Sequence, residues 1–167
     1  MSAPNVHVCR ADYAHAHHAK VVVDLLDAYA RDPMGGGEPL SDFAKANLLQ
    51  CLATRPAAFS VLAFEDASEQ RPMGLINCIE GFSTFACQPL VNVHDVVVLS
   101  DYRGQRVAEA MFAMVHELAA ARGACKLTLE VLSGNASAIR LYQRMGFAQY
   151  QLDPAAGQAQ FMQKWLG

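Results

Sequence analysis

Three consecutive valines, Val96, Val97 and Val98, run into a basic turn, and the turn opens a helical period at Val107. The turn reads Arg103-Gly104-Gln105-Arg106-Val107-Ala108. The first amides of a helix have no acceptor inside it, and the helix dipole adds positive potential there, so this junction suits a pyrophosphate. Many strand–turn–helix junctions bind nothing, so a purely structural turn stays open. Just upstream stand His94 and Asp95. Either side chain could take a proton from a reacting group, directly or through water. A regular strand sends successive side chains to opposite faces, so only one of the pair is expected to face a cleft. An ordinary hydrogen-bonded strand residue is the alternative for each. A further candidate is Tyr142, whose phenol could protonate a leaving group. On residue type alone, packing into the core beside Ile139 and Met145 is the better reading.

The elements that must position these groups follow from periodicity. Val6 and Val8 suggest a first strand, and Val22, Leu25, Leu26 and Tyr29 share one helix face. Asp32-Pro33-Met34-Gly35-Gly36-Gly37 breaks that helix, as a mobile substrate loop or a simple turn. Ser41-Asp42 can cap a second helix with Phe43, Leu48, Leu49 and Leu52 as its apolar side. Residues 59–64 and 73–79 read as an antiparallel hairpin around a polar turn. Residues 81–89 form a loop or a bent continuation, and 90–99 form a β-branched strand. Val107, Ala110, Met111, Met114, Val115, Leu118 and Ala119 make one helical stripe ending at Arg122-Gly123. Leu127, Leu129 and Val131 alternate as a strand. A short helix over 136–145 follows a cap at Ser133-Gly134-Asn135 and stops at Gly146. Two last strands are expected over 147–152 and 160–166. The order β-α-α-β-β-β-α-β-α-β-β predicts a mixed α/β sheet of about seven strands with about four helices, parallel where a helix crosses over.

The length of 167 residues fits one domain, 1–167. A chain 53% hydrophobic and 17% charged reads as globular. A net charge of −3 argues against general nucleic-acid or anionic-membrane binding and sits easily with a cationic ligand. No apolar run has the length of a membrane span, and the N-terminus lacks a basic region followed by an apolar one, so a cytoplasmic protein is expected. The five cysteines, Cys9, Cys51, Cys78, Cys87 and Cys125, are scattered and read as buried, reduced side chains. His15, His17 and His18 lack metal-ligand spacing and read as a solvated helix end, so no metal is expected. Asp24, Asp27, Asp32 and Glu38 read mostly as a solvated face.

Two words in this order resemble the GNAT superfamily of acyl-CoA-dependent N-acetyltransferases. That family's Q/R-x-x-G-x-G/A signature falls on Arg103-Gly104-Gln105-Arg106-Val107-Ala108, with Arg106 in place of the central glycine. Its N-x-x-A-x-x-x-Y-x-x-x-G-F word falls on Asn135, Ala138, Tyr142, Gly146 and Phe147, matched at each fixed position. The resemblance covers the second half of the chain in sequence and the first half in element order. It implies the GNAT fold, acetyl-CoA as co-substrate and transfer of an acetyl group to a primary amine. It also gives the residues roles. Val96, Val97 and Val98 would offer backbone groups to the pantetheine arm, and the amides of Arg103, Gly104, Gln105, Arg106, Val107 and Ala108 would wrap the pyrophosphate. Asn135, with Ala138, would hold the cofactor arm, and Tyr142 would face the thioester. A strand amide would polarise its carbonyl.

His94-Asp95, the S-D-Y-R-G turn and Gly81-Phe82-Ser83-Thr84-Phe85 are similar to the diamine and polyamine (spermidine/spermine) branch, which implies a diamine, polyamine or lysine-like substrate. The same chemistry on an amino acid, a peptide N-terminus or an aminoglycoside stays open. So does a non-catalytic acyl-CoA-binding or regulatory module, which the substituted Arg106 favours. The resemblance also allows a homodimer through Phe161 and Trp165, against packing of those aromatics within their own subunit.

Overall fold

The computed structural model describes residues 6–166. Contacts divide the chain into two compact units, Met1–Leu129 and Glu130–Gly167. The first holds a five-stranded sheet in the order β1-β2-β3-β4-β5. Its strands are β1 (His7–Arg10), β2 (Ala58–Phe64), β3 (Pro72–Ser83), β4 (Gln88–Val98) and β5 (Leu127–Leu129). The first four pair antiparallel, and β5 runs parallel to β4 after a helical crossover. The helices of this unit are α1 (Ala16–Arg31), α2 (Asp42–Ala53) and α3 (Val107–Ala121).

β2 is buried at every position, so its run, apolar except at Ser60, is covered on both faces. On one face Leu62, Phe64, Leu75 and Val97 pack with Val21, Val22 and Leu25 of α1. The opposite face receives α3, whose buried stripe is Val107, Ala108, Met111, Phe112, Val115 and Ala119. Gly74 of β3 makes that contact close: a Cβ there would lie 2.7 Å from Met111 Cε and 2.6 Å from the Val97 carbonyl oxygen. Arg122 closes the far end, with its guanidinium 4.6 Å over the Phe59 ring and Nη1 donating to Glu80 Oε2 at 3.0 Å. Ser41 caps α2 as its sequence predicts, its hydroxyl accepting from the Ala44 amide at 3.1 Å. No residue of α2 is buried, however, and Phe43 is 77% exposed, because the helix lies on the surface, with Leu49 and Leu52 packed against the core.

The second unit holds α4 (Ala136–Arg144) and a short 3₁₀ turn, Pro154–Ala156. The two strands expected near the C-terminus do not form: no residue of 147–152 or 160–166 pairs in a ladder. Alternating apolar residues make a strand only where an edge accepts their amides and a face covers their side chains. Here Tyr150, Leu152, Phe161, Met162, Trp165 and Leu166 are all exposed. The sheet therefore has five strands among the described residues, while the mixed α/β architecture with four α-helices is as expected. The cysteines also depart from expectation. Cys78 is buried and Cys9 half-buried, but Cys51, Cys87 and Cys125 are exposed. No described helix is long and apolar enough to cross a membrane.

Candidate active site

The turn between β4 and α3 carries an anion-binding shape. A short 3₁₀ helix, Ser100–Tyr102, leads to Gly104 at φ 76° and Arg106 at φ 62°. Arg106 is the N-cap of α3, and no side chain caps the helix. Its carbonyl accepts from the Ala110 amide at 3.1 Å. The amides of Gly104, Gln105, Arg106, Val107 and Ala108 donate to no acceptor among the described residues. Five consecutive donors at a helix start, in a turn where nothing lies within 4 Å of a Cβ on Gly104, fit a diphosphate. The departure at Arg106 now has a physical meaning. The position needs a left-handed backbone, which glycine adopts freely, and arginine holds it with its side chain exposed. Gln105 folds the turn by donating to the Asp101 carbonyl at 2.8 Å. Arg103 braces it instead of facing it: Nε donates to the Val98 carbonyl at 3.2 Å and Nη2 to Asp32 at 3.1 Å. The Asp32 carboxyl is held below its ordinary range by the Met34 amide first and Arg103 second.

β4 outruns its parallel neighbour. Pairing with β5 covers only Val91, Asn92 and Val93, so the segment from His94 to Val98 has an edge that β5 does not cover. Leu99 donates to the Met73 carbonyl at 3.0 Å, and the antiparallel alternation then turns the Val97 groups toward β3 and those of Val96 and Val98 toward the open edge. Of the three valines, Val96 and Val98 thus present edge groups, and the Val98 carbonyl is already taken by Arg103.

The register of β3 with β4 shifts at Asn77/Cys78: Asp95 opposes Asn77 and Val93 opposes Cys78, leaving His94 as an extra residue. This bulge overturns the expected opposition of His94 and Asp95. Asn92 and Asp95 share the face of Ile79 and Asn77, and His94 Nδ1 lies 3.0 Å from Asn92 Oδ1 on that side. His94 is exposed and Asp95 half-buried.

Asp95 ends a chain of polar groups that sequence reading missed. The Tyr13 hydroxyl lies 2.8 Å from Ser60 Oγ, Ser60 donates to Asn77 Oδ1 at 2.6 Å, and Asn77 Nδ2 donates to Asp95 Oδ2 at 3.0 Å. Ser60 and Asn77 are buried. The one signal in the sequence was a serine inside an otherwise apolar strand, since a buried hydroxyl must find a partner. Burial also raises the Tyr13 hydroxyl's pKa, against a smaller lowering by Ser60. Two of the acidic residues read as solvated have work to do. Asp32 holds Arg103, and Asp27 joins α1 to α2 through Lys45 at 3.1 Å and the Leu40 amide at 2.9 Å. Likewise His18 is no solvated helix end, being buried with both ring nitrogens engaged.

In the second unit the Asn135-to-Phe147 word is one helix from cap to cap. The Asn135 side chain accepts from the Ala138 amide at 3.2 Å, so these two residues spend those groups on capping. Gly146, at φ 89°, donates to the Gln143 carbonyl, and Phe147 donates to the Tyr142 carbonyl at 3.0 Å. Those two bonds make a Schellman end, and the Tyr142 and Phe147 rings meet edge to face at 5.9 Å as its apolar contact. Tyr142 is buried at 9% exposure.

Comparison with known proteins agrees with this architecture. A 65-residue stretch, 39% of the chain, is 38% identical to the streptothricin acetyltransferase of Streptomyces lavendulae, and it spans about a third (34%) of that protein. Among solved structures, a probable acetyltransferase superimposes with a TM-score of 0.78 at 17% identity, over 95% of this chain and 98% of that one. An aminoglycoside acetyltransferase from an uncultured soil metagenomic sample, solved with sisomicin, gives 0.75 at 12% identity over 96% of each chain. The ribosomal-protein-alanine N-acetyltransferase of Brucella melitensis biovar Abortus 2308 gives 0.68 at 18% identity, over 96% and 99%. These three likenesses bear on the fold. The acetyltransferase (GNAT) family matches residues 22–147, the greater part of the sequence and both of its words, and the chain belongs to that family.

Proposed function

We propose that this protein is an acetyl-CoA-dependent N-acetyltransferase that acetylates a primary amine on a small cationic molecule. The observation that carries the reading is the row of five unpaired amides at the start of α3, beside a β4 edge that β5 leaves uncovered. Acetyl-CoA would supply an activated acyl group, held by those amides at its diphosphate and by the Val96 and Val98 edge groups along its arm. The Asp95 carboxylate, fixed by Asn77, attracts an ammonium group and orients it. His94 or Asp95, directly or through water, takes the proton that the amine must lose before attack. Tyr142 is assigned the proton for the departing thiolate, on the strength of its place in the family word.

The polyamine branch remains our preferred substrate class, because a half-buried carboxylate on the β4 face suits a multiply charged linear amine. Aminoglycosides and streptothricin form the second reading, favoured by the named relatives. Calorimetry with acetyl-CoA, combined with thiol release from a panel of diamines, polyamines, lysine, peptides and aminoglycosides, tests both. Binding together with turnover on one amine class is the expected result. Binding without turnover on any amine would replace this reading with a non-catalytic acyl-CoA-binding module.

A further inference from the structure

We propose that His7, Cys9 and Glu69 form a binding site for zinc or a similar borderline transition-metal dication. His7 and Cys9 are two apart on β1, so they leave the strand on the same face. Glu69 reaches them from the turn between β2 and β3. One ligand atom from each of the three lies within 4.8 Å of the other two. His7 Nε2 is already 3.2 Å from Glu69 Oε1. Tetrahedral zinc, with bonds of about 2.0–2.3 Å, wants neighbouring ligand atoms about 3.3–3.6 Å apart. A small side-chain rotation closes the remaining gap.

The surroundings are organised around the carboxylate. Glu69 holds a left-handed backbone, φ 56°, a strained position for this residue type that aims its side chain inward. His18 accepts from the Asp12 amide at Nδ1, which leaves its Nε2–H to donate to Glu69 Oε2 at 2.8 Å. His17 Nε2 lies 2.6 Å from the Glu69 carbonyl oxygen. His18 anchors Oε2, as outer-shell partners do in metal sites, and Oε1 faces His7 Nε2 at 3.2 Å, where a metal would sit between the two. His18 first, and His7 after it, also hold the Glu69 carboxyl below its ordinary range.

Donor chemistry selects the ion. Imidazole, thiolate and carboxylate suit zinc, cobalt or nickel and do not suit magnesium or calcium. On binding, the Cys9 thiol gives its proton to water and the sulfur bonds the metal. The thiolate and carboxylate then neutralise the dication. Burial, and then Glu69, push the Cys9 thiol up to about 11, so without a metal it stays protonated. His7 and Glu69 are part-exposed, at 35% and 26% of their side chains, which gives an ion a way in and leaves a fourth position for water. The site would staple the edge strand β1 to a turn whose other end, Glu65, accepts from Tyr102 at 2.7 Å beside the amide row.

The test is titration of the tag-free, full-length protein with cobalt(II), read by thiolate-to-cobalt charge-transfer absorption. One equivalent should bind, zinc should displace it, and excess zinc should raise Tm by about 5–10 °C at roughly a hundredfold over its Kd. Cys9→Ser should abolish the band, and Cys51→Ser and Cys125→Ser should keep it. Should Cys9→Ser fail to fold, His7→Gln carries the test, with cobalt affinity expected to fall by at least about tenfold. A band that survives Cys9→Ser, an affinity unmoved by His7→Gln, or no saturable one-to-one binding overturns the site.

Discussion

Replacing Arg106 by glycine should stabilise the protein slightly and leave its affinity for acetyl-CoA intact. The magnitude follows from the backbone. A non-glycine residue at φ 62°, ψ 21° costs about 1–2 kcal/mol relative to glycine. Glycine in turn loosens the unfolded chain by about 0.4–1 kcal/mol. The net gain is therefore about 0–1.6 kcal/mol, or a rise in Tm of up to about 6 °C. Because amides, not the side chain, are argued to hold the diphosphate, the dissociation constant from calorimetry should stay within about threefold. Were the guanidinium itself a phosphate ligand, losing a charge-assisted bond of about 1.5–3 kcal/mol would weaken binding by about ten- to a hundredfold. Arg106→Ala separates the two effects, since alanine removes the charge but keeps the left-handed strain. It should bind like wild type without the gain in Tm. A tenfold loss of affinity in both variants would refute the amide argument, and a fall in Tm for the glycine variant would refute the strain argument.

Two further outcomes test the frame around the site. Gly74→Ala should destabilise by about 3 kcal/mol or more in urea denaturation, because the new Cβ meets the Val97 carbonyl oxygen at 2.6 Å and neither strand can withdraw without breaking its ladder; a loss under 1 kcal/mol would show that β4 yields there. Asn77→Ala should cost about 2–4 kcal/mol by removing the acceptor of the buried Ser60 hydroxyl, which keeps only Tyr13, and the donor to Asp95. Where enough folded protein remains, the KM for the amine should rise while acetyl-CoA affinity holds, and an unchanged KM would remove Asp95 from amine binding.

Local features were legible in the sequence and contacts between distant residues were not. The Ser41 and Asn135 caps, the stop at Gly146 and the change of period at Val107 depend on residues within a few positions of one another, and each stands where the sequence puts it. The bulge at His94 has no mark in Val91-Asn92-Val93-His94-Asp95-Val96, which reads as an unbroken strand. It arises from how β4 meets Asn77 and Cys78 of β3. Tyr13, Ser60, Asn77 and Asp95 lie in four separate segments and meet only through strand register. His7 and Glu69 are 62 positions apart. The C-terminal segments fail for a related reason: their alternation specifies what a strand would bury, but not whether an edge is present to receive it.

The capping geometry of α4 changes what a match to the family word can mean for Tyr142. An aromatic at that position, glycine four residues on and phenylalanine after it are the parts of a Schellman end with its apolar contact, so helix termination alone explains the spacing. The spacing of the word thus has a structural cause beside the role proposed for the phenol, and the same geometry supplies a clean test of that role. Tyr142→Phe keeps the ring against Phe147 and the backbone bond from the Phe147 amide, and removes only the hydroxyl. Stability should move by no more than about 1.5 kcal/mol. If the hydroxyl protonates the leaving sulfur, turnover should fall by about a hundredfold or more with acetyl-CoA affinity unchanged. Turnover at the wild-type rate in a folded Tyr142→Phe protein would make the residue a helix cap and nothing else, and the proton for the thiolate would then have to come from water or another side chain.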